Sequence, residues 1–229
     1  MNVRLFILII LLLKTDSITS QKCTVLFEPK FGNSPLLLNA QKYITGYGDT
    51  VEISALKFYI SDIEFLKDGL PVWKEHNLHK LIDAEKENSR NIKFNCKQGI
   101  DFNQIKFSVG IDSVTNNAGA IGGDLDPTLG MYWTWQNGYI NFKLEGKSPA
   151  CKTRNNEFQY HIGGYSFPYK TLQKVLLPVT DMKEIIIEAD VEKLFSVLDL
   201  SNVNQIMSPC TEAVAMSKLI TGIFTSKKK

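Results

Sequence analysis

The sequence predicts an all-β chain, an antiparallel β-sandwich with long loops and one or two short helices near the C-terminus. Three observations carry this. Short runs of β-branched and aromatic residues recur along the chain, and Gly, Asn, Asp and Pro punctuate them. Helical spacing of apolar residues is found only beyond Asp190. No internal repeat or low-complexity tract competes with that layout.

The first 20 residues form a unit of their own. A basic start (Arg4), an unbroken apolar run over residues 5–13 and a small polar exit over residues 17–20 are the layout of a secretory signal peptide. The run falls short of the roughly 20 apolar residues a spanning helix needs. The expectation is a leader over 1–20 and a mature domain over 21–229, periplasmic or secreted, with no membrane span after the leader is removed.

Within the domain, residues 23–31 and 36–38 read as strands broken by Gly32, Asn33 and Pro35. Residues 46–49 form a turn. Residues 51–66 alternate only partly and read as one or two strands. Lys67-Asp68-Gly69 suits a hairpin, because Gly69 accepts a positive φ. Residues 81–82, 92–94 and 105–111 read as further strands, with a polar loop or helical turn over 84–91. Residues 111–129 are rich in Gly, Asn, Asp and Ala, which predicts a long ordered loop, and such loops tend to carry function. Strands resume at 131–135 and 139–144 around an Asn137-Gly138 reversal, then at 158–162, 172–177 and 185–189. Helical spacing over 191–198 follows Asp190, and a second helix over 213–224 has Thr211 and Glu212 at its start.

The net charge of +2 is dispersed, and the terminal Lys227–Lys229 is a short solvated tail, so nothing points to nucleic acid. Cys23, Cys96, Cys151 and Cys210 include no Cys-x-x-Cys spacing, which argues against structural zinc. In an exported chain they predict one or two disulfides, with all three pairings of the four open.

The densest chemistry lies between Gly122 and Gly146. Trp133 and Trp135 are two residues apart, so on a strand both indoles share one face. They read as core anchors or as an oxidisable pair. Asp124 and Asp126 flank Leu125 ahead of Pro127; they suit turn capping, with calcium as the alternative, although the spacing is not that of an EF-hand. Acid catalysis by that pair is a third reading. No Gly-x-Ser-x-Gly elbow accompanies any serine, and the chain is not read as an enzyme. The histidines are His76, His79 and His161, and neutral imidazole suits copper or zinc.

The runs Leu56–Asp62, Leu81–Asp83, Phe107–Ser113, Gly122–Gly146 and Phe158–Gly164, taken in order, resemble the MbnP-like family of exported copper-binding proteins. The block Gly-Asp-Leu-Asp-Pro…Gly-Met-Tyr-Trp-Thr-Trp-Gln-x-Gly-Tyr is its most specific part. The resemblance implies a β-sandwich holding one copper ion. It also implies that a tryptophan, here Trp133 or Trp135, is oxidised to kynurenine by a diheme cytochrome c peroxidase-like partner. His161 is the lead ligand it implies. Many relatives carry a histidine directly before Leu-Ile-Asp, where this chain has Lys80 with His79 one place earlier, and a one-residue slip turns a strand side chain to the opposite face. Met207 lies in a segment that bears His or Met in some relatives, and its thioether suits Cu(I). The alternative is an extracytoplasmic binding module of the same fold without copper.

Overall fold

A computed structural model describes residues 20–75, 77–97, 99–181 and 184–227. The expected leader, apart from Ser20, and His76 lie outside the described residues.

The first strands are β1 (Ser20–Phe31), β2 (Ser34–Pro35), β3 (Lys42–Ile44), β4 (Thr50–Lys67), β5 (Leu70–Lys74), β6 (His79–Asp83), β7 (Asn91–Lys97) and β8 (Gln104–Val109). Helix α1 (Ser113–Asn117) and two 3₁₀ turns, Gly123–Leu125 and Pro127–Leu129, fill the segment expected to be a loop. Then come β9 (Tyr132–Trp133), β10 (Gly138–Lys147), β11 (Glu157–Gly163), β12 (Gln173–Pro178) and β13 (Glu184–Asp190). Helix α2 (Glu192–Phe195), β14 (Gln205–Ile206), α3 (Thr211–Ile220) and β15 (Phe224–Ser226) end the chain.

The long strand β4 organises the larger sheet. Its first half pairs with β3 and β10, its middle with β6, and its second half with β5 and β8. The partial alternation of its sequence has a physical cause. The register with β10 shifts between Glu145 and Gly146, and that with β8 shifts between Ser61 and Glu64. At the second shift Asp62 takes φ 51°. Each bulge adds a residue and turns the following side chains over. Val51 and Ile53, then Leu56, Phe58 and Ile60, then Ile63 and Phe65 therefore all reach one core. The smaller sheet places β1 between β13 and β7, with β2 and β15 at its margins.

The expectation of a purely antiparallel sandwich is corrected, because the sheets are mixed. β1 runs parallel to β13, from Thr24 opposite Glu184 to Lys30 opposite Asp190, and β14 runs parallel to β11. Parallel partners need a long crossover, and β1 and β13 lie at opposite ends of the sequence, so no local signal announces the pairing. The helix expected over 213–224 runs over Thr211–Ile220, and Phe224 instead begins β15. The structure holds Cys23, Cys96, Cys151 and Cys210 as free thiols, so none of the expected disulfides is formed in it.

Between the sheets lies the main core, in which Phe27 meets Phe58, Phe107 and Phe224 edge to face. Trp73, the third tryptophan, stacks on Phe65 at 4.8 Å between centroids and packs against this core. The outer face of the larger sheet carries a second cluster of Tyr59, Leu81, Ile111, Leu125, Met131, Trp133, Tyr139 and Ile140. The segment between β8 and β10 covers that face, and the candidate site lies at its edge. Among the described residues no helix is long and apolar enough to cross a membrane.

Candidate metal centre

Strand β11 alternates cleanly. Phe158, Tyr160 and Ile162 enter the core, which leaves Glu157, Gln159, His161 and Gly163 on the outer face. His161 stands opposite Lys143 of β10, and Lys143 stands opposite Lys57 of β4. Only 8% of His161 is exposed. Its Nε2 lies 2.6 Å from Glu145 Oε1, and Lys143 Nζ lies 3.2 Å from the same oxygen. The hydrogen bond from His161 outweighs burial and, with Lys143, holds the Glu145 carboxyl below its usual pKa. A charged Glu145 fixes the tautomer, since Nε2 must donate to it. With Nε2 donating, the neutral imidazole turns its Nδ1 lone pair outward as a metal ligand, as in carboxylate–histidine–metal arrangements.

Trp133 approaches the same face. The turn after β9 brings its six-membered ring against Gly163, two residues along β11 from His161. A Cβ at Gly163 would lie 2.7 Å from Trp133 Cζ3 and 2.6 Å from the Tyr139 carbonyl oxygen. Only glycine admits the indole there. The sequence placed Trp133 and Trp135 on one strand face, but β9 stops at Trp133 and residues 134–137 turn. Trp133 is 7% exposed and Trp135 66% exposed, with ring centroids 5.8 Å apart and planes tilted by 43°. One indole belongs to the interior and the other faces solvent.

Met207 completes the edge. β14 pairs with β11 as Gln159–Gln205 and Tyr160–Ile206. Continuing that register sets Met207 beside His161, on the same face. A Cβ at Gly164 would lie 3.2 Å from Pro209 Cβ, so the segment after β14 stays near the end of β11. Met207 is 41% exposed, so its thioether is accessible.

His79 lies elsewhere. It stands opposite Ser61 on β6, on the far side of β4 from β10 and β11. Three strand spacings and four residues along β4 put it roughly 15–20 Å from His161. Metal–nitrogen bonds of about 2 Å cannot span that gap. His79 Nε2 instead lies 3.2 Å from both Asp112 Oδ2 and Thr115 Oγ1. Asp112 caps α1 by accepting from the backbone N–H groups of Val114 and Thr115. Burial would raise the Asp112 pKa, but the bonds from Thr115, His79 and Val114 prevail and bring it to about 2. Its folded value is therefore depressed, so its stabilisation is present above the ordinary carboxylate value and is lost as pH falls towards 2. Because its side chain is 36% exposed, the discounted contribution is about 1 kcal/mol. Asp112→Ala, which also removes a helix cap, is expected to cost about 1–2 kcal/mol near neutrality. In urea melts the gap from wild type should narrow between pH 4 and pH 2.

Lys80, at the place of the relatives' histidine, pairs with Asp124 Oδ2 at 2.8 Å. The same oxygen accepts the Leu81 N–H. Asp126 Oδ1 accepts the N–H and hydroxyl of Thr128, capping the 3₁₀ turn at Pro127–Leu129. The two carboxylates thus serve different neighbours. No group of three or more His, Cys, Asp or Glu side chains suited to a metal gathers among the described residues. The site at β11 has instead one imidazole, one thioether and the neighbouring indoles.

Glu145 as partner of His161, and Gly163 as the seat of Trp133, were not legible as such in the sequence. The Gly163-Gly164 pair after His161 was the available signal of a close approach.

Comparison with known proteins agrees with this fold. The MbnP family model matches residues 20–208. The structure of MbnP from Methylosinus trichosporium superposes with a TM-score of 0.65 at 16% identity, covering 86% of this chain and 88% of that one. No curated protein sequence matches the chain. A family match over most of the sequence, on a fold shared nearly end to end, places this chain in the MbnP family.

Proposed function

We propose that the protein is an exported copper-binding protein that uses the outer edge of β11 and β14 as its metal site. The observation that carries this reading is the Glu145-oriented imidazole of His161, 2.6 Å from its carboxylate, on the strand whose partner β14 ends one residue before Met207. An imidazole nitrogen and a thioether sulfur form a soft donor pair, which favours Cu(I) over hard cations such as calcium. In this reading His161 Nδ1 and Met207 Sδ hold the ion and Glu145 orients the imidazole. The metal, when bound, supplies a one-electron redox centre. Asp112 and Asp126 cap α1 and the second 3₁₀ turn, and Asp124 ties the first to β6, which keeps the tryptophan segment against the sheet.

The same reading makes Trp133 or Trp135 the target of oxidation to kynurenine, a change that opens the indole ring, gains one oxygen and loses one carbon. Trp135 faces solvent, where a diheme peroxidase-like partner has access. Trp133, 5.8 Å from it, borders the His161 face. The protein is then the substrate of that partner, not a catalyst, and acts in the periplasm or outside the cell.

Copper titration of protein purified from its native host, with peptide mass mapping, tests this. One copper per chain and the oxygen-for-carbon mass change at residue 133 or 135 are the expected results. A chain with intact tryptophans that binds no copper overturns the proposal. Glu145→Gln is expected to weaken copper binding about 10–100-fold by releasing the imidazole, read in a competition assay with a chromophoric Cu(I) chelator.

A further inference from the structure

Two buried thiols outside the copper reading lie together at the edge of the smaller sheet. Among the described residues β7 pairs with β1 alone. In that ladder Cys23 stands opposite Phe94 and Cys96 opposite Gln21, so the cysteines are diagonal neighbours. Cys23, Val25 and Phe27 alternate into the core from β1, and Ile92, Phe94 and Cys96 do so from β7. Both sulfurs therefore enter the same space, with exposures of 0% and 1%. Diagonal neighbours on one face have Cα atoms about 7–8 Å apart and Cβ atoms closer, and here the Cys23 thiol is near enough to help raise the Cys96 pKa. The other two cysteines have different neighbours. Cys151 follows β10 and is buried near the charge of Asp49, while Cys210 caps α3 by accepting the Ala213 N–H at 3.4 Å.

We propose that Cys23 and Cys96 are an oxidisable pair that closes to an intramolecular disulfide joining β1 to β7. A disulfide needs Cβ atoms about 3.5–4.5 Å apart. The pairing of Ser20 with Lys97 ends the ladder beside the two thiols, so the strand end can shear slightly to close the gap. The bond would enclose residues 23–96, which include β3 to β6 of the larger sheet. It would thus pin an edge strand and tie both sheets into one covalent loop.

The oxidant is a small-molecule disulfide such as oxidised glutathione. One cysteine thiolate attacks it and releases a glutathione thiolate, leaving a mixed disulfide. The second cysteine thiolate then displaces the other glutathione. The two cysteines lose two protons and two electrons, and these appear in two glutathione thiols. Burial, together with the neighbouring thiol, pushes the Cys96 pKa up, which slows attack in the folded state. The bond therefore forms during folding.

The test refolds the full chain from denaturant in a glutathione redox buffer, quenches with acid, alkylates in denaturant and maps the peptides. The expected product is one Cys23–Cys96 linked peptide that disappears on reduction, with Cys151 and Cys210 alkylated. Reduction should lower the melting temperature by on the order of 10 °C, and Cys96→Ser should melt like the reduced protein. Alkylation of all four cysteines, or a link through Cys151 or Cys210, overturns the proposal.

Discussion

His161→Ala is expected to lower Cu(I) affinity at least about 100-fold, equivalent to roughly 2.7 kcal/mol. The size follows from how few donors are near. His161 supplies the imidazole at the β11 edge, and His79 is held by Asp112 and Thr115 on the other side of β4. Among the described residues no second histidine can take its place without a rearrangement of the sheet. The fold should survive the change. Glu145 keeps its pairing with Lys143 at 3.2 Å, so no carboxylate is stranded, and replacing a mostly buried side chain at an edge costs about 1–2 kcal/mol. A chelator competition assay on the folded variant, with circular dichroism as the check on folding, reads the effect. Unchanged affinity would remove His161 from the site.

Gly163→Ala is expected to destabilise the protein by about 2–4 kcal/mol and to expel Trp133 from its seat. The new methyl would stand 2.6 Å from the Tyr139 carbonyl and 2.7 Å from the Trp133 ring. The carbonyl belongs to β10, the neighbouring strand of the sheet, and cannot withdraw cheaply. The indole can move only by leaving the cluster with Met131, Leu125 and Tyr139. Urea denaturation should show the loss of stability. Tryptophan fluorescence should shift to the red as Trp133 meets water. If Trp133 is the residue next to the metal, copper binding falls in step. A variant as stable as wild type with unshifted emission would mean that the indole does not rest on Gly163.

Much of the fold was legible because its determinants are local. The hairpin at Lys67-Asp68-Gly69 and the reversal at Asn137-Gly138 follow from residues that tolerate positive φ, and Asp68, Gly69 and Asn137 all adopt it. The strands over Phe158–Ile162 and Ile185–Ala189 announce themselves by alternation and β-branching. The parallel pairings of β1 with β13 and β14 with β11 depend on segments far apart in sequence, and β14 spans only Gln205–Ile206, too short to carry a period. The continuity of β4 was hidden by its bulges, which break the alternation that marks a strand.

The candidate site was legible in its parts and not in its assembly. His161, Met207, Trp133 and Trp135 stood out as residue types suited to soft metals or oxidation. That the chain just before Met207 lies beside β11 depends on a parallel register that no spacing encodes. That His79 does not depends on which edge of β4 receives β6. Glu145 and His161 meet across a ladder, 16 residues apart, where helical or turn spacing rules give no signal. The split between a buried Trp133 and an exposed Trp135 arises because β9 ends between them.

The most direct test of the account is an anomalous-difference map, collected at the copper edge, from crystals of the copper-loaded protein. The predicted result is one peak on the outer face of β11, within bonding distance of His161 Nδ1 and beside Met207 and the Trp133 segment. A peak beside His79 and Asp112, or none along β11, would contradict it.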